Sequence, residues 1–212
     1  MSYCQLTYLL NQAMSNLADT VLATAEKLFS SKYSQWGHIV SQTRDRIHLR
    51  RALAGQDWSH ARTVINRMSA VGVADADLQQ AQLLMRQGYV VESRDILQKI
   101  ISTADEKSEL RVRALIGISD IFNLSKSPAF AVQSLMKAID ISKRNKQDLL
   151  YHLSLLHLAN CHLQEGFPEK GYSLTVASLP FILSHGGVED CAKAWLLAAK
   201  CKIGACKGTN FK

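Results

Sequence analysis

Apolar residues recur at helical spacing along most of the chain, in pairs of segments divided by short polar turns. Leu149, Leu153 and Leu156 illustrate the spacing, because side chains three or four positions apart line one face of a helix. The turns that divide the pairs are Gly55-Gln56-Asp57, Gly88-Tyr89, Ser125-Lys126-Ser127-Pro128 and Gly166-Phe167-Pro168. Two amphipathic helices joined by a short turn form a helical hairpin. The pattern therefore predicts about four helical hairpins and almost no strand.

Small residues recur at matching places in these hairpins. Ala61, Ser93, Ala131 and Gly171 lie on the return helices, at intervals of 32, 38 and 40 residues. Ala81, Ser119 and Ala159 lie twelve positions before the last three, and Leu49 takes this position in the first hairpin. A close helix crossing needs little side-chain volume at the contact. We therefore predict that these seven small residues pack the repeats, and the near-fixed period indicates a stacked array.

Turn chemistry predicts where several helices begin and end. Asp57 is placed to cap the helix that follows it, and Gly88 suits a left-handed turn position after a helix end. Ser127 as a cap followed by Pro128 at the first helical position predicts another helix start. Pro180 lies inside the second helix of the fourth hairpin, so we expect a kink or an early end there.

The two ends of the chain differ from the repeats. Residues 1–40 carry helical spacing but precede the first clear repeat, so they are expected to be capping or leftover helices. Residues 41–206 form the predicted repeat region. A last helix starts at Val188 without a partner to complete a fifth hairpin, which leaves an apolar face for a partner or for further chain to cover. Residues 207–212 are expected to be a disordered tail.

Composition places the chain among globular proteins and its charge suggests acidic partners. The 212 residues are 47% hydrophobic and 20% charged, with a formal net charge of +7. The candidate protein-binding residues are Arg44, Arg46, Arg50 and Arg51 from a basic cluster, and Trp195 as an aromatic anchor. Aromatic residues do not interleave with these arginines as a stacking platform for bases requires. An RNA-binding helical array is therefore the weaker alternative to an acidic protein partner.

Cysteine usage and targeting signals suggest an intracellular protein. The five cysteines form no CxxC motif and are expected to be reduced packing residues. The N-terminus lacks the pattern of a signal peptide, and no run of 18 apolar residues occurs, so no membrane association is expected.

Candidate chemistry is sparse. His157 and Cys161 stand four apart on one helix, but they supply at most two zinc ligands and no second pair is evident. Glu189, Asp190 and Cys191 are adjacent, and helix neighbours do not face each other. No GxxxxGK[ST] phosphate loop occurs. We therefore expect no catalytic residues, no metal, no cofactor and no small-molecule substrate.

Several segments together resemble one family of helical-repeat proteins. They are His157–Asn160, Gly166–Leu174, Pro180–Gly187 and Ala199–Lys202, with Gly55–Trp58, Leu97–Ile101 and the Ser127-Pro128 turn upstream. The combination resembles the anaphase-promoting complex subunit 5 family, from about Arg44 to Cys206. Members of that family are longer at both ends, with a helical domain before the repeats and further hairpins after them.

The resemblance implies an all-α, tetratricopeptide-like superhelix of about four hairpins plus flanking helices. It also implies a non-catalytic scaffold subunit of a cell-cycle E3 ubiquitin ligase, in the nucleus and cytoplasm, whose partners are the other ligase subunits. One alternative is a tetratricopeptide adaptor that captures a peptide in its concave groove. Asn160 and Lys200 would suit such a groove.

Overall fold

The computed structural model describes residues 34–209, together with residues 17, 19–21, 23, 24 and 27, which are helical. Residues 34–209 form nine α-helices. They are α1 (Ser34–Ala54), α2 (Trp58–Ala70), α3 (Ala76–Arg86), α4 (Val90–Thr103), α5 (Glu109–Leu124), α6 (Pro128–Arg144), α7 (Asp148–Gln164), α8 (Pro168–His185) and α9 (Val188–Thr209). The described part of the chain contains no strand, so the predicted all-α class is confirmed.

The chain divides into two compact units, residues 1–76 and residues 77–212. The first unit contains the hairpin of α1 and α2. Helix α1 begins at Ser34, inside the segment that was expected to form capping or leftover helices. The predicted boundary between residues 40 and 41 therefore falls inside a helix. Most of the predicted capping segment, including all residues before 17, lies outside the described residues.

The second unit is built from a series of small apolar clusters, each shared by neighbouring helices. Leu78, Leu97 and Ile118 belong to a cluster of α3, α4 and α5. The next clusters join α5 to α6 and α7, and α6 to α7. The last cluster joins α7, α8 and α9 and contains Ile182 and Leu197. Because each helix pair buries its apolar face only against its neighbours, the unit has the packing of a helical repeat.

The hairpin turns share one backbone geometry. A residue two positions before each return helix has a positive φ: Gln56 (56°), Gly88 (88°), Lys126 (54°) and Gly166 (85°). The predicted left-handed turn at Gly88 is confirmed. Glycine adopts this conformation without the steric penalty that a Cβ brings. The second and fourth hairpins have glycine at this position. The first and third have Gln56 and Lys126, whose Cβ atoms make a positive φ strained.

The predicted helix starts are confirmed in position. The Asp57 carboxylate accepts a hydrogen bond from the His60 backbone N–H (3.0 Å) at the start of α2. This bond and one with Ser59 lower the pKa of Asp57 below its usual value. Pro128 is the first residue of α6, as predicted, and Ser127 stands at the cap position. The Ser127 hydroxyl makes no capping bond and instead donates to the Ser125 carbonyl (3.3 Å).

The helix ends near the C-terminus differ in part from expectation. Helix α8 does not end early at Pro180 but continues to His185, and Ile182 beyond the proline is fully buried in the last cluster. The expected kink at Pro180 stays a prediction. Helix α9 continues to Thr209, so residues 207–209 of the predicted disordered tail are helical. The remaining residues of that tail, 210–212, lie outside the described residues.

All seven small residues predicted to pack the repeats are buried: Ala61, Ala81, Ser93, Ser119, Ala131, Ala159 and Gly171. Two pairs show the contact directly. The Ser93 hydroxyl donates to the Ala81 carbonyl (2.8 Å), which joins α4 to α3. A Cβ atom on Gly171 would lie 2.8 Å from the Ala159 carbonyl oxygen. At these two places the backbones of paired helices approach closely enough to exclude a larger side chain.

We expect Ser93→Ala to lower the free energy of unfolding by about 1 kcal/mol, because it removes a buried hydrogen bond between two helices. Ser142→Ala is the matched control. The Ser142 hydroxyl is equally buried but bonds to the Ala138 carbonyl of its own helix (2.8 Å). Alanine has the higher helix propensity there, so the control should change stability by less. Urea unfolding followed by circular dichroism measures both, and equal losses would contradict the role of the interhelical bond.

Candidate interaction surfaces

The basic cluster of the first unit is partly neutralised by carboxylates. Arg46 lies 3.3 and 3.4 Å from the two carboxylate oxygens of Asp75. Arg51 binds Asp19 through two bonds of 2.9 and 2.8 Å. Arg44 is half-buried and Arg50 is exposed. Arg46 and Arg51 are thus held in ion pairs, which reduces the positive field that an acidic protein or RNA would meet.

The last helix, α9, presents an apolar face to solvent. Trp195, Leu196 and Ile203 are 56%, 57% and 57% exposed, and Ala192 and Ala199 on the same face are also exposed. The opposite face, which includes Ala194, Leu197 and Cys201, is buried against α7 and α8. A contiguous exposed apolar face on an otherwise packed helix is typical of a protein-interaction surface. Trp195 lies at the centre of this face.

A cleft of about 210 Å³ lies between α5, α7 and α9, which are the leading helices of successive hairpins. Asn160 from α7 and Lys193 and Lys200 from α9 line it, beside an apolar wall that includes Leu156 and Leu196. Within the described helices, neither Asn160 nor Lys200 has a hydrogen-bond or ion-pair partner. Lys193 binds Glu189 (2.8 Å). The structure therefore brings together the two residues that suit the peptide-adaptor alternative, which stays open.

Lys193 lines this cleft but was not singled out in the sequence. The signal for it was present, because Lys193 and Lys200 stand seven positions apart and so lie on the same face of a helix. No such sequence signal exists for Asp120. Its carboxylate lies 2.8 Å from His157 Nδ1 across 37 residues of sequence, and no local pattern could have found this pair.

His157 and Cys161, the two side chains considered as zinc ligands, contact other side chains instead. His157 contacts Asp120, and the Cys161 thiol donates to the Asn123 side-chain oxygen (3.3 Å). Burial raises the pKa of the Cys161 thiol, which keeps it protonated and a poor metal ligand. Among the described residues, no group of three histidine, cysteine or acidic side chains is placed to hold a metal ion. No described helix is long and apolar enough to span a bilayer.

Comparison with known proteins gives one consistent set of relatives. The chain is similar to anaphase-promoting complex subunit 5 from Homo sapiens (26% identity), Mus musculus (25%) and Gallus gallus (24%), in each case over 160 residues and 74% of this chain. It spans only about a fifth of the length of these curated relatives, 21 to 22%. These matches confirm the resemblance to the subunit 5 family that the sequence motifs suggested. No protein-family model matches the chain.

One solved structure supports the fold. The crystal structure of BtubC (BKLC) from P. vanneervenii matches with a TM-score of 0.57 at 13% identity, covering 95% of this chain and 93% of that one. At this identity the likeness concerns the fold alone. It confirms the helical-repeat class that the apolar spacing predicted.

Proposed function

We propose that this chain acts as a non-catalytic scaffold segment of an anaphase-promoting complex, the cell-cycle E3 ubiquitin ligase, and holds other subunits by protein-protein contacts. The observation that carries the proposal is the similarity to subunit 5 of that complex over 74% of the chain. Residence in the nucleus and cytoplasm follows from the same proposal.

The packing of the described helices supports a scaffold rather than an enzyme. A helical repeat holds surfaces at fixed separations because each hairpin is buried against its neighbours. The apolar face of α9, with Trp195 and Leu196 more than half exposed, supplies the kind of surface that another subunit would cover. We place the contact with a neighbouring ligase subunit on this face, with Trp195 as its anchor.

Affinity purification of the tagged chain from dividing cells, followed by mass spectrometry, tests the proposal. The unaltered chain should recover other subunits of the anaphase-promoting complex. Trp195→Glu should reduce their recovery at least about tenfold, because a central aromatic anchor typically contributes 2 kcal/mol or more and a buried carboxylate is costly. Circular dichroism of the variant should match that of the unaltered chain, since Trp195 is 56% exposed.

Phe167→Glu is the matched control, because Phe167 is also an aromatic residue, half exposed (50%), but it precedes α8 instead of lying on α9. It should leave recovery of the ligase subunits unchanged. Purification of the unaltered chain without any ligase subunit would refute the scaffold proposal. Capture of one unrelated protein would instead favour the peptide-adaptor alternative. Equal losses for both variants would refute the placement on α9.

A further inference from the structure

A second cleft, of about 500 Å³, lies between α4, α5 and α6 and has a basic lining. Its apolar part consists of Ile101, Leu115 and Ile141. Four cationic side chains line it, namely Lys107, Arg111, Lys137 and Arg144, together with two carboxylates, Glu106 and Asp140. The lining thus carries an excess of two positive charges. Neither the hairpin packing nor the proposed scaffold role accounts for this concentration of charge.

The two carboxylates leave half of the positive charge of the lining uncompensated. Asp140 binds Arg144, whose Nη2 lies 2.5 Å from the carboxylate on the same helix. Lys107 and Lys137 have no ion-pair partner among the residues that the structure describes. Cations that line a common cleft without counter-ions repel one another, and an anion that enters the cleft relieves this repulsion. The charge of the lining therefore favours a negatively charged ligand.

Arg111 adds hydrogen-bond donors of fixed direction to this charge. Its Nη1 makes only a long bond of 3.4 Å to the Ala104 carbonyl. Its Nε is buried and has no hydrogen-bond partner within the described structure. An unsatisfied buried donor on a charged group is costly, and a guanidinium offers paired N–H donors to the oxygens of a carboxylate or phosphate. An anionic group beside Arg111 would supply the acceptor that these donors lack.

We propose that this cleft binds a phosphorylated serine or threonine side chain within a peptide segment. A phosphate monoester carries about −1.5 to −2 charges at neutral pH, which matches the excess of two positive charges in the lining. The three aliphatic residues provide an apolar surface for the neighbouring side chains of the peptide. RNA is a poorer match, because the lining contains no aromatic residue on which a base could stack. This site is independent of the scaffold contact on α9.

Fluorescence anisotropy with the full chain tests the proposal. The probe is a fluorescein-labelled pentapeptide with phosphoserine between two leucines, and the same peptide with unmodified serine is the comparison. The phosphorylated peptide should bind, and the unmodified peptide should bind at least about tenfold more weakly. Arg111→Gln and Lys137→Gln should each weaken binding of the phosphorylated peptide, by about tenfold for the arginine, and affinity should fall as salt is added.

The two helices offer matched controls. Arg113 lies two positions from Arg111 on α5 but is exposed, pairs with Glu109 and does not line the cleft. Lys143 lies on α6 with Lys137, is exposed and is also absent from the lining. Arg113→Gln and Lys143→Gln should change affinity less than twofold, and all four variants should melt at the temperature of the unaltered chain.

Three results would overturn the proposal. The first is no measurable binding of the phosphorylated peptide at millimolar concentration. The second is equal loss of affinity with Arg111→Gln and Arg113→Gln, since general electrostatic attraction to the basic chain would then explain the binding. The third is that a short single-stranded RNA binds the chain and binds the Arg111→Gln variant more weakly, while the phosphorylated peptide does not bind. That result would assign the cleft to nucleic acid.

Discussion

Replacing Arg67 by glutamine should lower the free energy of unfolding of the N-terminal unit by about 3 kcal/mol, whereas Asp45→Asn should cost only about 1 kcal/mol. The two side chains form one ion pair between α1 and α2, in which Arg67 Nε lies 2.9 Å from the Asp45 carboxylate and Nη2 contacts the same oxygen. Their surroundings are very different. The Asp45 side chain is 3% exposed and that of Arg67 is 54% exposed.

This difference in exposure produces the asymmetry. Loss of the arginine leaves a buried carboxylate without its charge partner, and a buried unpaired charge is strongly destabilising. Loss of the carboxylate leaves a guanidinium that water already solvates over half its surface, and the asparagine oxygen can still accept a hydrogen bond. The exposed fraction thus predicts which partner matters more.

Urea unfolding of Arg67→Gln, Asp45→Asn and the double variant measures the effect. The double variant should be more stable than Arg67→Gln alone, because removing the buried charge removes the main penalty. If Asp45→Asn were as destabilising as Arg67→Gln, the penalty would not come from the buried carboxylate, and the explanation would be wrong.

The second large effect concerns Gly171 at the crossing of α7, α8 and α9. Gly171→Ala should lower the free energy of unfolding by about 2 kcal/mol, even though alanine is the better helix former by about 1 kcal/mol. A Cβ on Gly171 would lie 2.8 Å from the Ala159 carbonyl oxygen and 3.0 Å from the Cys201 sulfur. The first of these neighbours is backbone, so two helices would have to separate to make room.

Gly117→Ala is the matched control, because Gly117 is also a glycine inside a helix with close neighbours. A Cβ there would lie 3.1 and 3.3 Å from the two terminal carbons of Leu97, which belong to a flexible side chain. The leucine can shift by a few tenths of an ångström, and the gain in helix propensity remains. Gly117→Ala should therefore change stability by less than about 1 kcal/mol. If thermal unfolding showed that Gly171→Ala is as stable as Gly117→Ala, it would contradict the close approach of α7 and α8 at Gly171.

Sequence alone identified the parts of the fold that local physics controls. Apolar spacing found the helices, and turn chemistry placed the Asp57 cap, the left-handed Gly88 and the start of α6 at Pro128. These features depend on a few neighbouring residues, so a short window of sequence contains their cause. The periodic small residues belong here as well, because their spacing follows from the repeat length.

Two helices near the C-terminus continue past local helix-breaking residues. Proline inside a helix removes a hydrogen bond and usually disrupts the helix. At Pro180 the burial of Ile182 two residues later keeps α8 continuous to His185. The glycine-containing end of α9 likewise remains helical to Thr209.

Only the tertiary structure decided which side chains meet. Asp45 and Arg67 are 22 residues apart, Asp120 and His157 are 37 apart, and the basic cleft collects residues from α4, α5 and α6. The rotation of each helix about its axis determines these encounters, and it is fixed by burial against neighbouring helices. The sequence therefore determined the helices, their turns and the small residues at their crossings. The ion pairs between helices and the two clefts depend on contacts between distant residues, which no local pattern encodes.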